Sequence, residues 1–223
     1  TWISRRQNYF PLDASPFVSE LFAPSHSDHF YVLPESDQER LIQEQKLASD
    51  GIDAHMLAEI YQRLYVLEFL TDSGRRWTLK PGFEVESMAK AADHFTLSAR
   101  CQLTGDLEVF DADIVVLSTG FHYVIPPCLA PIRHRLKTVG GQFVVRRDFS
   151  VEWDGPEGVN IYVQNASRHC RGVADPNLSL MAWRNANIIN SLVEEAVYDV
   201  EDPHTVIDWP GLKLERPLAQ AVG

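Results

Sequence analysis

Several things are scarce in this sequence, and each scarcity excludes something. Only three cysteines occur in 223 residues, Cys101, Cys128 and Cys170. They lie far apart and form no Cys-x-x-Cys pair, which speaks against a disulfide framework or a zinc site and for a reducing compartment. Positive charge is thin: 20 Lys and Arg stand against 31 Asp and Glu, a formal net charge of −11. That balance argues against nucleic acid, and against an anionic membrane surface, as general partners. No apolar run approaches the roughly 20 residues of a membrane span, and no signal-peptide pattern is present. No Gly-x-Gly-x-x-Gly follows any predicted strand, so any dinucleotide phosphate loop lies outside these residues. What remains, 45% hydrophobic and 23% charged, is the composition of a soluble globular protein and fits a cytoplasmic enzyme.

Three regions differ in texture. The chain opens on Thr1, and "TWIS" reads as the end of a strand leaving a sheet, as in one piece of a longer protein or a mature N-terminus after processing. "RRQNYFPLDASPF" reads as an extended loop, and "ESDQERLIQEQKLASDG" as a helix stopped by Gly51. "DAHMLAEIYQRLYVLEFL" places Met56, Leu57, Ile60, Leu64 and Leu67 at helical spacing behind Asp53 as N-cap. From residue 77 the period shortens into a β-meander that feeds 114–117, a continuous Ile-Val-Val-Leu run expected as a strand buried on both faces. Beyond it, "PPCLAPIRHRL" predicts a short helix, "QFVVRRDFSVEW" and "GVNIYVQNAS" strands, and residues 178–200 a long amphipathic helix. Trp183, Ile188, Ile189 and Leu192 form its expected core stripe. The tail from His204 is expected to add an edge strand. Strands mixed with helices give an α/β fold.

Three blocks carry a family resemblance: "WISRR...PLDASPFVSELFAPSHSDHFY", "QEQKLASDGIDAHMLAEIYQRLY" and "ADIVVLSTGF...NIYVQNASRHCRGVADPNLSLMAWRNANIINSL". Together they resemble the second half of the siderophore-type N-hydroxylating flavin monooxygenases, the L-lysine N(6)-hydroxylases and L-ornithine N(5)-hydroxylases, with relatives that act on putrescine and cadaverine. The resemblance implies part of a flavoprotein with two dinucleotide-binding domains. Residues 1–72 would be the remainder of the NADPH domain with a helical substrate-side segment, 73–200 the C-terminal part of the FAD domain, and 201–223 a tail. It implies FAD and NADPH as cofactors, a small primary amine and molecular oxygen as substrates, an N-terminal half that is not in this chain, and a homo-oligomer by analogy. In such enzymes NADPH reduces the flavin, oxygen adds as a C4a-hydroperoxide, and a neutral amine takes the distal oxygen. Positioning groups then matter more than a strong acid or base, and the sequence shows neither a Ser-His-Asp set nor a paired-carboxylate motif.

The resemblance also implies roles for single residues. Arg5 matches an arginine set against NADPH, and a guanidinium fork suits phosphate; Arg6 is a second candidate, and a plain surface arginine is the alternative. Ser19 stands where the family carries a substrate-touching asparagine, and a hydroxyl offers less than an amide; it serves equally as a helix N-cap. Ser49, in "ASDGI", is a substrate contact or a helix end, and "SDGI" is closer to lysine and diamine members than to ornithine members. Thr119 and Gly120 match a cofactor-side block, with Gly120 free to take a positive φ; the alternative is a strand-ending turn. Asp175, Pro176, Asn177 and Leu178 form a turn expected to pass the flavin ring, with free N–H groups at a helix start facing its pyrimidine edge. Asp175 with Pro176 also reads as N-cap and first helical residue. Ser179 matches a family serine that contacts the amine. His169, between Arg168 and Arg171, is expected to be structural and neutral, and Cys170 a filler. The reading is an N-hydroxylase of L-lysine or an aliphatic diamine, with L-ornithine as runner-up. The competing reading is a non-catalytic flavoprotein-like fragment, which an absorbance spectrum of the purified protein distinguishes.

Overall fold

The computed structural model describes residues 1–72, 74, 77–121, 123–200 and 205–210. They fall into two compact units that interleave along the chain. The first takes the described residues of Thr1–Leu12 and Asp50–His122. In it β1 (Trp2–Ser4) pairs in parallel with β2 (Leu79–Pro81), so "TWIS" holds a short strand whose partner lies within this chain. A meander follows, β3 (Phe83–Lys90), β4 (Phe95–Cys101) and β5 (Leu107–Ala112), each antiparallel to the next. The central strand β4 buries Leu97 and Ala99. Helix α4 (Ala54–Phe69) starts where the sequence predicts, because the Asp53 carboxylate accepts the otherwise orphaned Met56 N–H at 2.9 Å. Its Leu57, Ile60, Leu64 and Leu67 stripe is half-buried.

Two expectations in this unit fail for physical reasons. Residues 114–117 form no strand, and Ile114, Val116 and Leu117 are exposed. A strand buried on both faces needs neighbours to cover it, and the meander stops at Ala112 with no described strand beside the run. Gly51 is also not a left-handed helix stop, since it lacks a positive φ. It is small for another reason: a Cβ there would overlap the Leu12 backbone. The segment beside it is fastened by Leu12 N–H to Ile52 O at 2.7 Å and Ile52 N–H to Phe10 O at 3.0 Å.

The second unit takes the described residues of Asp13–Ser49 and Tyr123–Gly223. It begins with α1 (Pro16–Ser19), a 3-10 turn Glu20–Phe22, α2 (Pro24–Tyr31) and α3 (Glu35–Glu44), which tightens into a 3-10 turn Gln45–Ala48. A 3-10 segment Pro127–Arg135 replaces the expected short helix; its interior Pro131 cannot donate an α-helical hydrogen bond. Of the two predicted strands only β7 (Gln142–Phe143) is a strand, paired with β6 (Thr138–Val139), and the rest form single bridges, Leu136 to Trp153, Val145 to Val151 and Ser150 to Tyr162. The chain reverses too tightly for a ladder: Arg146 and Ser150 close a turn in which Phe149 takes φ 67°. Phe143, Val145 and Val151 nonetheless point inward with Leu136 and Ala166 as one core.

Helices α5 (Arg168–Arg171) and α6 (Met181–Val193) complete this unit. α6 ends at a left-handed Glu194, short of the predicted residue 200. Its inward face keeps half of the expected stripe: Ile188 is buried and Trp183 half-buried against Phe149, whereas Ile189 and Leu192 are exposed and Arg184 is buried. Residues 205–210 form no strand, and the rest of the expected edge strand lies outside the described residues. Among the described residues no helix is long and apolar enough to cross a membrane.

Candidate functional site

The stretch 165–180 is built on buried polar groups. Arg171 has no solvent exposure; its guanidinium pairs with Asp28 at 2.9 Å and stacks over Tyr31 and Phe149, with ring centroids 4.2 and 4.6 Å away. It is scaffold, as is His169, which is half-buried with Nε2 3.0 Å from the Phe143 carbonyl. The His169 pKa is lowered, and its first cause is burial rather than its basic neighbours. Cys170 is also partly buried, and burial pushes its thiol up to about 11. It is an inert filler rather than a nucleophile.

Asp175 anchors the turn that follows. Its buried carboxylate accepts from Ser167 N–H at 3.0 Å and Ser167 Oγ at 2.6 Å. With both oxygens so engaged, Asp175 does not cap the helix. Asn177 instead caps the 3-10 turn Leu178–Leu180 that leads into α6, its Oδ1 accepting the Ser179 N–H at 2.9 Å. The expected N-cap is therefore displaced by two residues, and one of the N–H groups expected to be free is already satisfied. Residues 173–175 are buried, whereas Pro176, Asn177, Leu178 and Ser179 are exposed, Leu178 at 74%. An exposed apolar side chain beside an exposed hydroxyl on a rigid base can face a flat ligand with a polar edge.

Ser19, Ser49 and this turn belong to one unit, and a single small core ties their segments together. Leu21, Ala48 and Val173 pack against one another, with Val18, Phe22 and Trp209 around them. Ser19 follows Val18 at the C-terminal end of α1, whose N-cap is Ser15 rather than Ser19. Ser49 follows Ala48 and is exposed, its N–H donating to Lys46 O at 3.3 Å, so the helix-end reading of Ser49 holds. Beside this core the buried His26 ring meets Trp209 edge-on at 4.7 Å. Burial, reinforced by His29, lowers the His26 pKa to about 4.

Arg5, Thr119 and Gly120 belong to the other unit. The Arg5 side chain is 72% exposed and 3.8 Å from Glu84, a loose surface pair. Thr119 and Gly120 sit in an exposed loop rather than at the carboxyl end of a buried strand. Gly120 does take a positive φ, 75°, and a Cβ added there would meet nothing within 4 Å. Two open concavities, about 450 Å³ at Arg135, Lys137, Arg146 and Trp153 and about 440 Å³ at Tyr61 and Tyr65, include none of the expected site residues.

The residues that sequence reasoning misses are Arg184 and Ser167, together with the capping role of Asn177, which it places only in the turn. Arg184 is invisible because an arginine on a helix is ordinarily solvated. Asn177 carries a usable signal, since Asn two residues before the cap's target N–H is a standard capping pattern.

The family model for L-lysine 6-monooxygenase/L-ornithine 5-monooxygenase matches residues 1–123. The chain is 36% identical to the L-lysine N6-monooxygenase of Escherichia coli over 213 residues, covering 93% of this chain and 49% of that protein. It is 28% identical to the putrescine N-hydroxylase of Shewanella oneidensis over 202 residues, covering 90% of this chain and 39% of that protein. Among solved structures, the FAD-bound cadaverine monooxygenase DfoA of the desferrioxamine pathway of Erwinia amylovora superposes with a TM-score of 0.80 at 26% identity. That match covers 95% of this chain and 48% of DfoA. The chain thus spans about half the length of the first curated relatives it matches.

Proposed function

Because the chain belongs to the L-lysine 6-monooxygenase/L-ornithine 5-monooxygenase family, we propose that it is the substrate-side half of an FAD- and NADPH-dependent N-hydroxylase of siderophore assembly. Its substrate is the terminal amine of L-lysine or of a diamine such as putrescine or cadaverine. In this reading the activity needs the N-terminal half that the family resemblance implies, which would supply the phosphate loops this sequence lacks. The observation that carries the reading is the Leu21, Ala48 and Val173 core. It packs residues beside Ser19 and Ser49 against Val173, which precedes the turn that carries Ser179. L-lysine N6-monooxygenase, putrescine N-hydroxylase and cadaverine monooxygenase among the similar proteins support the amine class.

Bound FAD, reduced by NADPH, supplies the activated oxygen. The chain's own residues bind, orient and shield. The exposed backbone and Leu178 of the turn would hold the flavin ring, and Ser179 would offer a hydroxyl to the amine or its far polar end. Asp175 holds that turn from beneath through Ser167. Ser19 and Ser49 add hydroxyls that accept from a neutral amine or donate to it. No group here needs to act as a strong base, since the attacking amine need only be neutral and correctly placed. Arg5, only loosely paired with Glu84, would be available to hold a phosphate of NADPH, a stronger fork-to-oxygen match. Thr119 and the left-handed Gly120 lie at the cofactor side, and the assembled enzyme is a homo-oligomer.

The full-length protein, assayed with lysine, ornithine, putrescine and cadaverine, tests the reading. Hydroxylamine product coupled to NADPH oxidation with lysine or a diamine supports it. Hydroxylation of ornithine alone moves the substrate within the class. A colourless protein that forms no hydroxylamine contradicts the enzyme reading.

A further inference from the structure

Arg184 is a charged residue that the proposed reaction leaves without a task. Its side chain is 1% exposed beneath the 175–179 turn. Nη2 donates to the Asn177 carbonyl at 3.2 Å, and Nη1 lies 3.8 Å from Asp175 Oδ1. Among the described residues Nε and Nη1 have no hydrogen-bond partner, and both are sealed from solvent. Burying a guanidinium is costly, and burying two of its donor nitrogens unpaired is costlier, so an apolar residue would fill the space more favourably. Burial depresses its proton affinity, while Asp175 acts in the opposite direction.

The cost has a local return. Helical side chains lean toward the N-terminus of their helix, so Arg184 on α6 reaches back under the turn that launches it. Its contact there is with Asn177, whose own side chain caps Ser179. Arg184 therefore fixes the backbone of Asn177, and Asn177 fixes the backbone of Ser179. A ligand on the outer surface of the turn cannot reach the sealed nitrogens, so the guanidinium acts through the backbone and not by direct contact.

We propose that Arg184 is a positioning residue for amine binding: it clamps the Asn177 carbonyl above the Asp175 charge and so sets the direction in which Ser179 is presented. This rests on the reading of Ser179 as an amine contact. A lysine keeps the charge but offers one point of attachment, which reaches the carbonyl or the carboxylate and not both.

The test uses full-length Arg184→Lys and Arg184→Gln. Two readouts are taken: Michaelis constants for amine and NADPH, and hydrogen exchange of a peptide spanning 176–182, with a peptide from α4 as control. The expected result is an amine KM raised by about tenfold with the NADPH KM within about twofold. Exchange at the Ser179 amide rises by about tenfold while the α4 peptide is unchanged. If Arg184→Gln does not fold, Arg184→Lys decides by the same two readouts. An unchanged amine KM, or equal rises in both KM values, in an enzyme whose wild type hydroxylates an amine overturns the clamp alone. A wild type that hydroxylates none of the four amines overturns both the clamp and the reading beneath it.

Discussion

Ser179 is exposed whereas residues 173–175 just before the turn are buried, and this contrast separates scaffold from proposed site one residue at a time. Ser167 gives its N–H and its hydroxyl to the buried Asp175 carboxylate. Ser167→Ala should cost about 2 kcal/mol of stability, since a hydrogen bond to a buried charge is lost and the charge stays. Ser179→Ala, at an exposed position, should stay within about 0.5 kcal/mol. Urea unfolding of the two variants compares them directly. Arg5→Ala should raise the NADPH KM by about tenfold or more and leave the amine KM within about twofold; equal changes would remove Arg5 from the cofactor site. His26 predicts a pH effect. Its folded pKa of about 4 lies below the ordinary 6.5, so protonation favours the unfolded chain. Stability is therefore present above about pH 6.5 and lost as pH falls toward about 4. Linkage puts the loss between about pH 7 and about pH 5 at about 2 kcal/mol. Unfolding midpoints measured across that range should show it, and His26→Gln should flatten the dependence.

At the scale of elements, what is legible in the sequence is what is decided locally. α4 begins at Asp53 because its side chain meets an N–H group of the first turn. The meander β3 to β5 is legible because each strand pairs with its immediate neighbour. Asp53→Ala should cost about 1 kcal/mol, the usual effect of losing an N-cap, read as lower helicity of α4 by hydrogen exchange. The failures are non-local. The run 114–117 has the composition of a buried strand, but nothing among the described residues covers it. Hydrophobicity alone places an apolar stripe on α6, while the fold turns Arg184 inward to serve the turn. The position of Gly51 suggests a helix stop, when its requirement is the close approach of Leu12. Gly51→Ala should therefore destabilise by about 1 to 3 kcal/mol, because the overlapped atoms are backbone and cannot swing aside.

At the scale of the molecule, the site is legible as segments rather than as a pocket. The resemblance points to Ser19, Ser49 and Ser179 in three distant stretches. The packing of Leu21, Ala48 and Val173 gives a physical reason why those stretches come together in one unit. The direct test is transient kinetics of full-length Ser179→Ala with the preferred amine. A substrate-side Ser179 predicts a rate of flavin reduction by NADPH within about twofold of wild type and an amine KM raised by about tenfold, the equivalent of ~1.4 kcal/mol of lost binding. Collapse of flavin reduction, or an amine KM that does not move, would contradict it.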